Sequence, residues 1–144
     1  MSDMLAAFLY AQLENVDQIN NRRNDIWDKY LKSLIPLANE GKLRLPYLPP
    51  GCQSNSHLFY FILKDEGTRD ALMRHLKNLH INSVFHYVPL HLSPVGQSMG
   101  YEEGDLPVTE SLSGRLLRLP FYYEMTRDQQ QSIVNAIFRF FQDR

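Results

Sequence analysis

From Met4 to Ala11 every side chain is apolar or aromatic, and no polar face interrupts the run. A helix without a polar side is normally buried on all sides. The helix formers Met4, Leu5, Ala6, Ala7, Leu9, Ala11 and Leu13 make this stretch helical, with Ser2 and Asp3 as candidate caps. A chain of 144 residues corresponds to one domain. So small a domain has difficulty surrounding a helix at its extreme end. Either the helix folds over the chain's own core, or it is buried against another domain or a second subunit, and its uniform apolarity favours the latter.

Bulk properties narrow the function classes. Apolar residues make up 44% and charged residues 22%, which supports one packed core. With 15 basic and 16 acidic side chains the net charge is −1, without the basic excess that phosphate neutralisation demands of a nucleic-acid binder. Cys52 is the only cysteine, so neither an intrachain disulfide nor a cysteine-rich zinc site is possible. The run from Met4 to Ala11 is too short to span a bilayer and lacks the flanks of a signal peptide. The expected location is the cytoplasm, with neither membrane nor nucleic acid as partner.

A second helical stretch carries Val16, Ile19, Ile26, Tyr30, Leu31 and Leu34 among charged residues and is expected to end before Pro36. Whether it continues the first helix or bends away from it is open. Arg22, Arg23 and Asp25 read as its solvated face. Proline and glycine at 46, 49, 50 and 51 mark a loop. His57 to Leu63, apolar on both alternating faces, reads as a central strand. Thr68 is a candidate cap for a helix whose Leu72, Leu76 and Leu79 share one face. Ile81 to Tyr87 reads as a second strand, and Val88 to Gly104 as loop. Asp105 is a candidate cap for a short helix with Pro107 in its first turn. Arg115 to Leu119 reads as a third strand. Thr126 and Gln129 form a capping box for a last helix with Ile133, Val134, Ile137, Phe138 and Phe141 on its apolar side. The pattern is α+β: a small, mainly antiparallel sheet of about three strands covered by helices, preceded by a long N-terminal helix.

The densest group of functional side chains is Phe85-His86-Tyr87-Val88-Pro89-Leu90-His91, where the second strand runs out into a loop. Imidazoles and a phenol there can hydrogen-bond sugar hydroxyls or phosphates. The plainer reading, packed aromatics and solvated histidines, stands beside it. His80, His86 and His91 have no zinc-type spacing, so no metal is expected. No nucleophile elbow, phosphate-binding loop or dinucleotide motif occurs.

Several segments, in order and spacing, resemble one family. Ser2-Asp3-Met4-Leu5-Ala6-Ala7, Ala11-Gln12-Leu13-Glu14 and Arg22-Arg23 are similar to the helix that opens the C-terminal part of DegT/StrS-type sugar aminotransferases. His86-Tyr87-x-Pro89-Leu90-His91, Gly100-Tyr101, Leu119-Pro120 and Thr126 to Gln130 match later segments of that family. The resemblance covers nearly the whole chain. It implies that residues 1–144 are the C-terminal small domain of a fold-type I aminotransferase, a homodimer using pyridoxal phosphate and glutamate. The run from Ser2 to Glu14 is most similar to the branch acting on dTDP-4-keto-6-deoxy sugars.

The resemblance also implies what this segment lacks. The lysine that carries the cofactor belongs to the family's large N-terminal domain, and Lys29, Lys32, Lys42, Lys64 and Lys77 all lie in unrelated contexts. No catalytic residue is therefore expected here, and the segment alone is expected to be inactive and to bind no cofactor. By carry-over, His86 and Tyr87 line the substrate, Pro89 and His91 shape the same loop, and Ser2 caps its helix beside the cofactor pocket. The alternative is a free-standing module that binds a small molecule or a protein on a helix-covered sheet.

Overall fold

The computed structural model describes residues 2–142. Two helices open it, α1 (Asp3–Glu14) and α2 (Val16–Asn39), separated at Asn15. Ser2 caps α1 by accepting from the Leu5 amide at 3.4 Å. At the junction the Asn15 side chain donates back to the Ala11 carbonyl at 3.0 Å, which ends one helix where the next begins. The N-terminal stretch is thus a pair of helices and not one rod. α2 runs through Pro36 for three further residues, past the stop expected from sequence. A proline forfeits one backbone bond to the preceding turn. Here Leu34 and Leu37, buried on either side of it, hold the last turn on the core.

Four strands follow the order β1-β2-β4-β3, all antiparallel: β1 (Leu43–Arg44), β2 (Tyr60–Leu63), β3 (Val84–Phe85) and β4 (Leu116–Arg118). The sheet is mainly antiparallel as expected, with one more strand, the two-residue β1. The ladders are shorter than the apolar runs suggested, although the Leu119 amide adds a bond to the Phe59 carbonyl at 3.0 Å. β2 is interior, but only its odd-numbered face is sealed. Phe59, Phe61 and Leu63 are buried, whereas Tyr60 and Ile62 are half-buried.

The sealed face meets α2, α3 (Glu66–Asn78) and α6 (Arg127–Gln142). Tyr30 stacks on Phe59, Leu72 and Leu76 come from α3, and Ile133, Val134, Ile137 and Phe140 from α6. Phe138 and Phe141, expected on that apolar side, are only half-buried, and Leu79 is exposed at the C-cap of α3. The capping box at the start of α6 forms as read: Thr126 Oγ1 accepts from the Gln129 amide at 3.2 Å, and Gln129 Oε1 from the Thr126 amide at 2.8 Å. α3 is capped by Asp65, whose carboxylate takes the Thr68 amide at 2.7 Å, so Thr68 lies inside the helix.

Residues 88–104 are not wholly loop. They contain a 3-10 turn (Leu90–Leu92) and a short helix α4 (Pro94–Ser98) capped by Ser93. α5 (Pro107–Arg115) has Leu106 at its N-cap position, with Pro107 in its first turn as expected but no cap from Asp105, whose carboxylate accepts from the Glu102 amide instead.

Arg22 and Arg23 are clamps and not a solvated face; only Asp25 is exposed. Arg22 donates to the carbonyls of Tyr123 and Met125. Arg23 donates to those of Ser56 and His57 and lies 5.3 Å from the centroid of Phe121. Guanidinium groups carry five donors, which suits them to tie down loop carbonyls. No residue of α1 is buried: Met4, Leu5, Phe8, Tyr10 and Leu13 are all more than half exposed. The helix does not fold over this chain's core.

Candidate functional site

β3 is one edge of the sheet, and the chain leaves it directly into His86 and Tyr87. Alternation along the strand sends successive side chains to opposite faces. Phe85 and Tyr87 line a cavity of about 440 Å³ together with Arg69, Val88, Pro89 and Leu92. His86 instead joins His57, Leu58, Tyr60 and Leu116 around a hollow of about 310 Å³. The imidazole of His86 and the phenol of Tyr87 still keep ring centroids 5.1 Å apart. Tyr87 has φ +51°, in the left-handed region that non-glycine residues seldom occupy and that costs free energy unless the surroundings fix it.

Carboxylates outnumber cations in the larger cavity. Glu66, Asp70, Glu103 and Glu110 line it against the single guanidinium of Arg69. Arg69 is buried, accepts no role as a free anion receptor, and is held by Glu66 at 2.9 Å. Its Nε lies 2.8 Å from Asp70 Oδ1 as an ion pair without hydrogen-bonding alignment. Its guanidinium also stands 5.5 Å from the Phe85 ring centroid. Hydroxyl-rich ligands match such a wall better than a diphosphate does.

His91 faces inward. It is buried, and its Nε2 lies 2.8 Å from Glu110 Oε1. Glu110 also accepts the backbone amides of Gly104 at 3.0 Å and Leu106 at 3.2 Å. The hydrogen bond from His91 leads these causes in holding the Glu110 carboxyl below the usual carboxylate range. An ionised carboxylate only accepts, so His91 Nε2 carries the proton.

Of the five residues singled out in the sequence, Tyr87 and Pro89 share one cavity and His86 opens onto another. His91 supports the loop from beneath. Ser2 stands apart at the start of α1, outside both cavities. Sequence reading did not single out Arg69 or Glu110. An acid in the first turns of a helix just after Gly104 and Pro107 is the one local signal that marks Glu110.

Among the described residues no three imidazole, thiol or carboxylate groups gather as metal ligands, and no helix is long and apolar enough to cross a membrane. A pyridoxal phosphate site requires a lysine on the cofactor and a partner for its ring nitrogen. No lysine here is buried. Lys29 and Lys32 border an open groove of about 450 Å³ whose wall includes Arg22, Asp25, Asp28 and Arg127. Lys29 is turned to the Arg127 carbonyl at 3.4 Å.

The model of the DegT/DnrJ/EryC1/StrS aminotransferase family matches residues 1–138. The chain belongs to that family. This DegT/DnrJ/EryC1/StrS member is 34% identical over 138 residues to the dTDP-3-amino-3,4,6-trideoxy-alpha-D-glucose transaminase of Streptomyces venezuelae, covering 95% of this chain and 35% of that protein. It is 33% identical to the erythromycin biosynthesis sensory transduction protein EryC1 of Saccharopolyspora erythraea, covering 95% and 36%. The structure of S. venezuelae DesV, in complex with a ketimine intermediate, superposes with a TM-score of 0.87 at 32% identity, over 97% of this chain and 36% of that one. The fold alone is shared with Spr1654 of Streptococcus pneumoniae in its PLP-form, at a TM-score of 0.88 and 19% identity, over 99% and 36%. The family member described here spans about a third of the length of the relatives it matches.

Proposed function

We propose that residues 1–144 are the C-terminal small domain of a pyridoxal-phosphate-dependent sugar-nucleotide aminotransferase. The observation that carries this reading is the family match over residues 1–138, on a chain spanning about a third of its relatives. The remaining large domain supplies the lysine and the cofactor, which stabilises the carbanion formed in amino transfer. The enzyme takes its amino group from glutamate and delivers it to a dTDP-4-keto-6-deoxy sugar. By resemblance the activity is that of dTDP-4-oxo-6-deoxy-D-glucose transaminase, which makes dTDP-4-amino-4,6-dideoxygalactose for enterobacterial common antigen and so serves cell-surface polysaccharide synthesis. The enzyme is a cytoplasmic homodimer. The isolated segment binds no cofactor and is inactive.

Within that enzyme this chain's residues bind and orient. His86 and Tyr87 face the sugar from the end of β3, and Pro89 stiffens the turn that presents them. His91 holds the turn in place. Ser2, at the positive end of α1, contributes to the cofactor-phosphate side of a subunit in the dimer. The exposed apolar side chains of α1 support its burial against the large domain or the second subunit. Steady-state kinetics of His86→Ala and Tyr87→Phe in the full-length enzyme test the assignment. A loss of turnover of the sugar nucleotide supports it; unchanged kinetics in both variants overturn it.

A further inference from the structure

Glu110 is a junction. Its carboxylate accepts the His91 imidazole at 2.8 Å and the amides of Gly104 and Leu106 at 3.0 and 3.2 Å. One side chain therefore joins the 3-10 turn, the loop after Gly100 and the start of α5. His91 lies in the middle of the turn whose two ends close on themselves, the Leu92 amide reaching the Pro89 carbonyl at 3.0 Å and the Ser93 amide reaching that of Leu90 at 3.1 Å. The backbone of Leu90 and His91 also rests directly on Gly96 of α4. Pro89 is thus tied to this turn through its carbonyl, and Tyr87, two residues before it, holds an unfavourable φ of +51°. Such a conformation persists when its surroundings over-determine it. Hydrogen bonds to an ionised acceptor are the stronger class, which suits this carboxylate to that task.

We propose that Glu110 is the positioning residue of the Tyr87–Pro89 segment, acting through His91. Its role in substrate binding rests on the reading that this segment faces the sugar nucleotide; its role in ordering the segment does not.

Two measurements separate these parts. Hydrogen exchange on the 144-residue chain carrying Glu110→Gln reads the ordering. The Leu92 and Ser93 amides are expected to exchange about tenfold faster, as for a local opening easier by about 1.4 kcal/mol, while the Phe61 and Leu117 ladder amides keep their protection. His91→Gln, whose amide still offers a donor, is expected to retain most of the protection that His91→Ala loses. Unchanged Leu92 and Ser93 exchange, or an equal rise at every amide, overturns the proposal. In the full-length enzyme Glu110→Gln is expected to raise KM for the sugar nucleotide about tenfold with kcat nearly unchanged, the pattern of lost uniform binding. An active enzyme whose KM does not move contradicts the substrate part. A wild-type enzyme without sugar-nucleotide turnover removes the proposed function and leaves the exchange result to decide the ordering.

Discussion

Tyr30 donates its phenol proton to the Pro120 carbonyl at 3.0 Å from a fully buried position on α2. The bond joins the long helix to the chain just beyond β4 and closes the core over Phe59, on which Tyr30 stacks at 5.0 Å. Tyr30→Phe keeps the ring and leaves the carbonyl without this donor, at a cost of about 1–2 kcal/mol. Urea unfolding is expected to show a lower midpoint with an unchanged slope. Burial, with a smaller contribution from Tyr122, also pushes the Tyr30 phenol well above its ordinary value of 10.0. The neutral form is the one the fold favours, so its contribution is complete below pH 10 and is lost as pH rises toward the folded value. The phenylalanine variant is expected to lose less stability over that alkaline range.

His80 occupies the position after the α3 C-cap that glycine usually fills, with φ +59°. The Ile81 amide bonds to Leu76 and the His80 amide to Lys77, the paired bonds of a Schellman ending. His80→Gly relieves the left-handed strain and is expected to stabilise the chain by about 0.5–1 kcal/mol. Calorimetry is expected to show a Tm higher by a few degrees.

Gly96 allows α4 to lie against the 3-10 turn. A Cβ there would overlap the Leu90 and His91 carbonyl oxygens, both of them backbone. Gly96→Ala is expected to cost about 1–3 kcal/mol through forced backbone movement. Amide spectra are expected to change at residues 90–97 and to stay constant in α6.

Acid loosens the same region in a defined direction. The His91 hydrogen bond is the main cause that holds the Glu110 carboxyl below its ordinary 4.5. The stabilisation is therefore present above pH 4.5 and is lost as pH falls through the lower, folded value. The Gly104 amide proton, which points at that carboxylate, is expected to titrate below pH 4.5, and Glu110→Gln is expected to abolish the titration.

Local chemistry was legible in the sequence, and reach across the chain was not. The Thr126–Gln129 box needs only residues three apart, and the apolar run at His57 to Leu63 announces a core strand by itself. Arg22 and Arg23 read as solvated because their carbonyl partners, at Ser56, His57, Tyr123 and Met125, lie far along the chain. Glu110 stands 19 residues from His91, so the pair exists only after folding. Pro36 signalled a helix end, and burial of Leu34 and Leu37 outweighed it. The cluster from His86 to His91 was visible as a group, but its division between two cavities and a support beneath them follows from strand alternation and the turn after it.

Amino transfer to a keto-sugar nucleotide is the reaction proposed for the full-length enzyme. The full-length enzyme, incubated with isotope-labelled glutamate and a dTDP-4-keto-6-deoxy sugar, tests it directly by mass spectrometry of the nucleotide sugar. The expected product carries one labelled amino group in place of the keto oxygen. A nucleotide sugar recovered unaminated, from enzyme loaded with its cofactor, would contradict it.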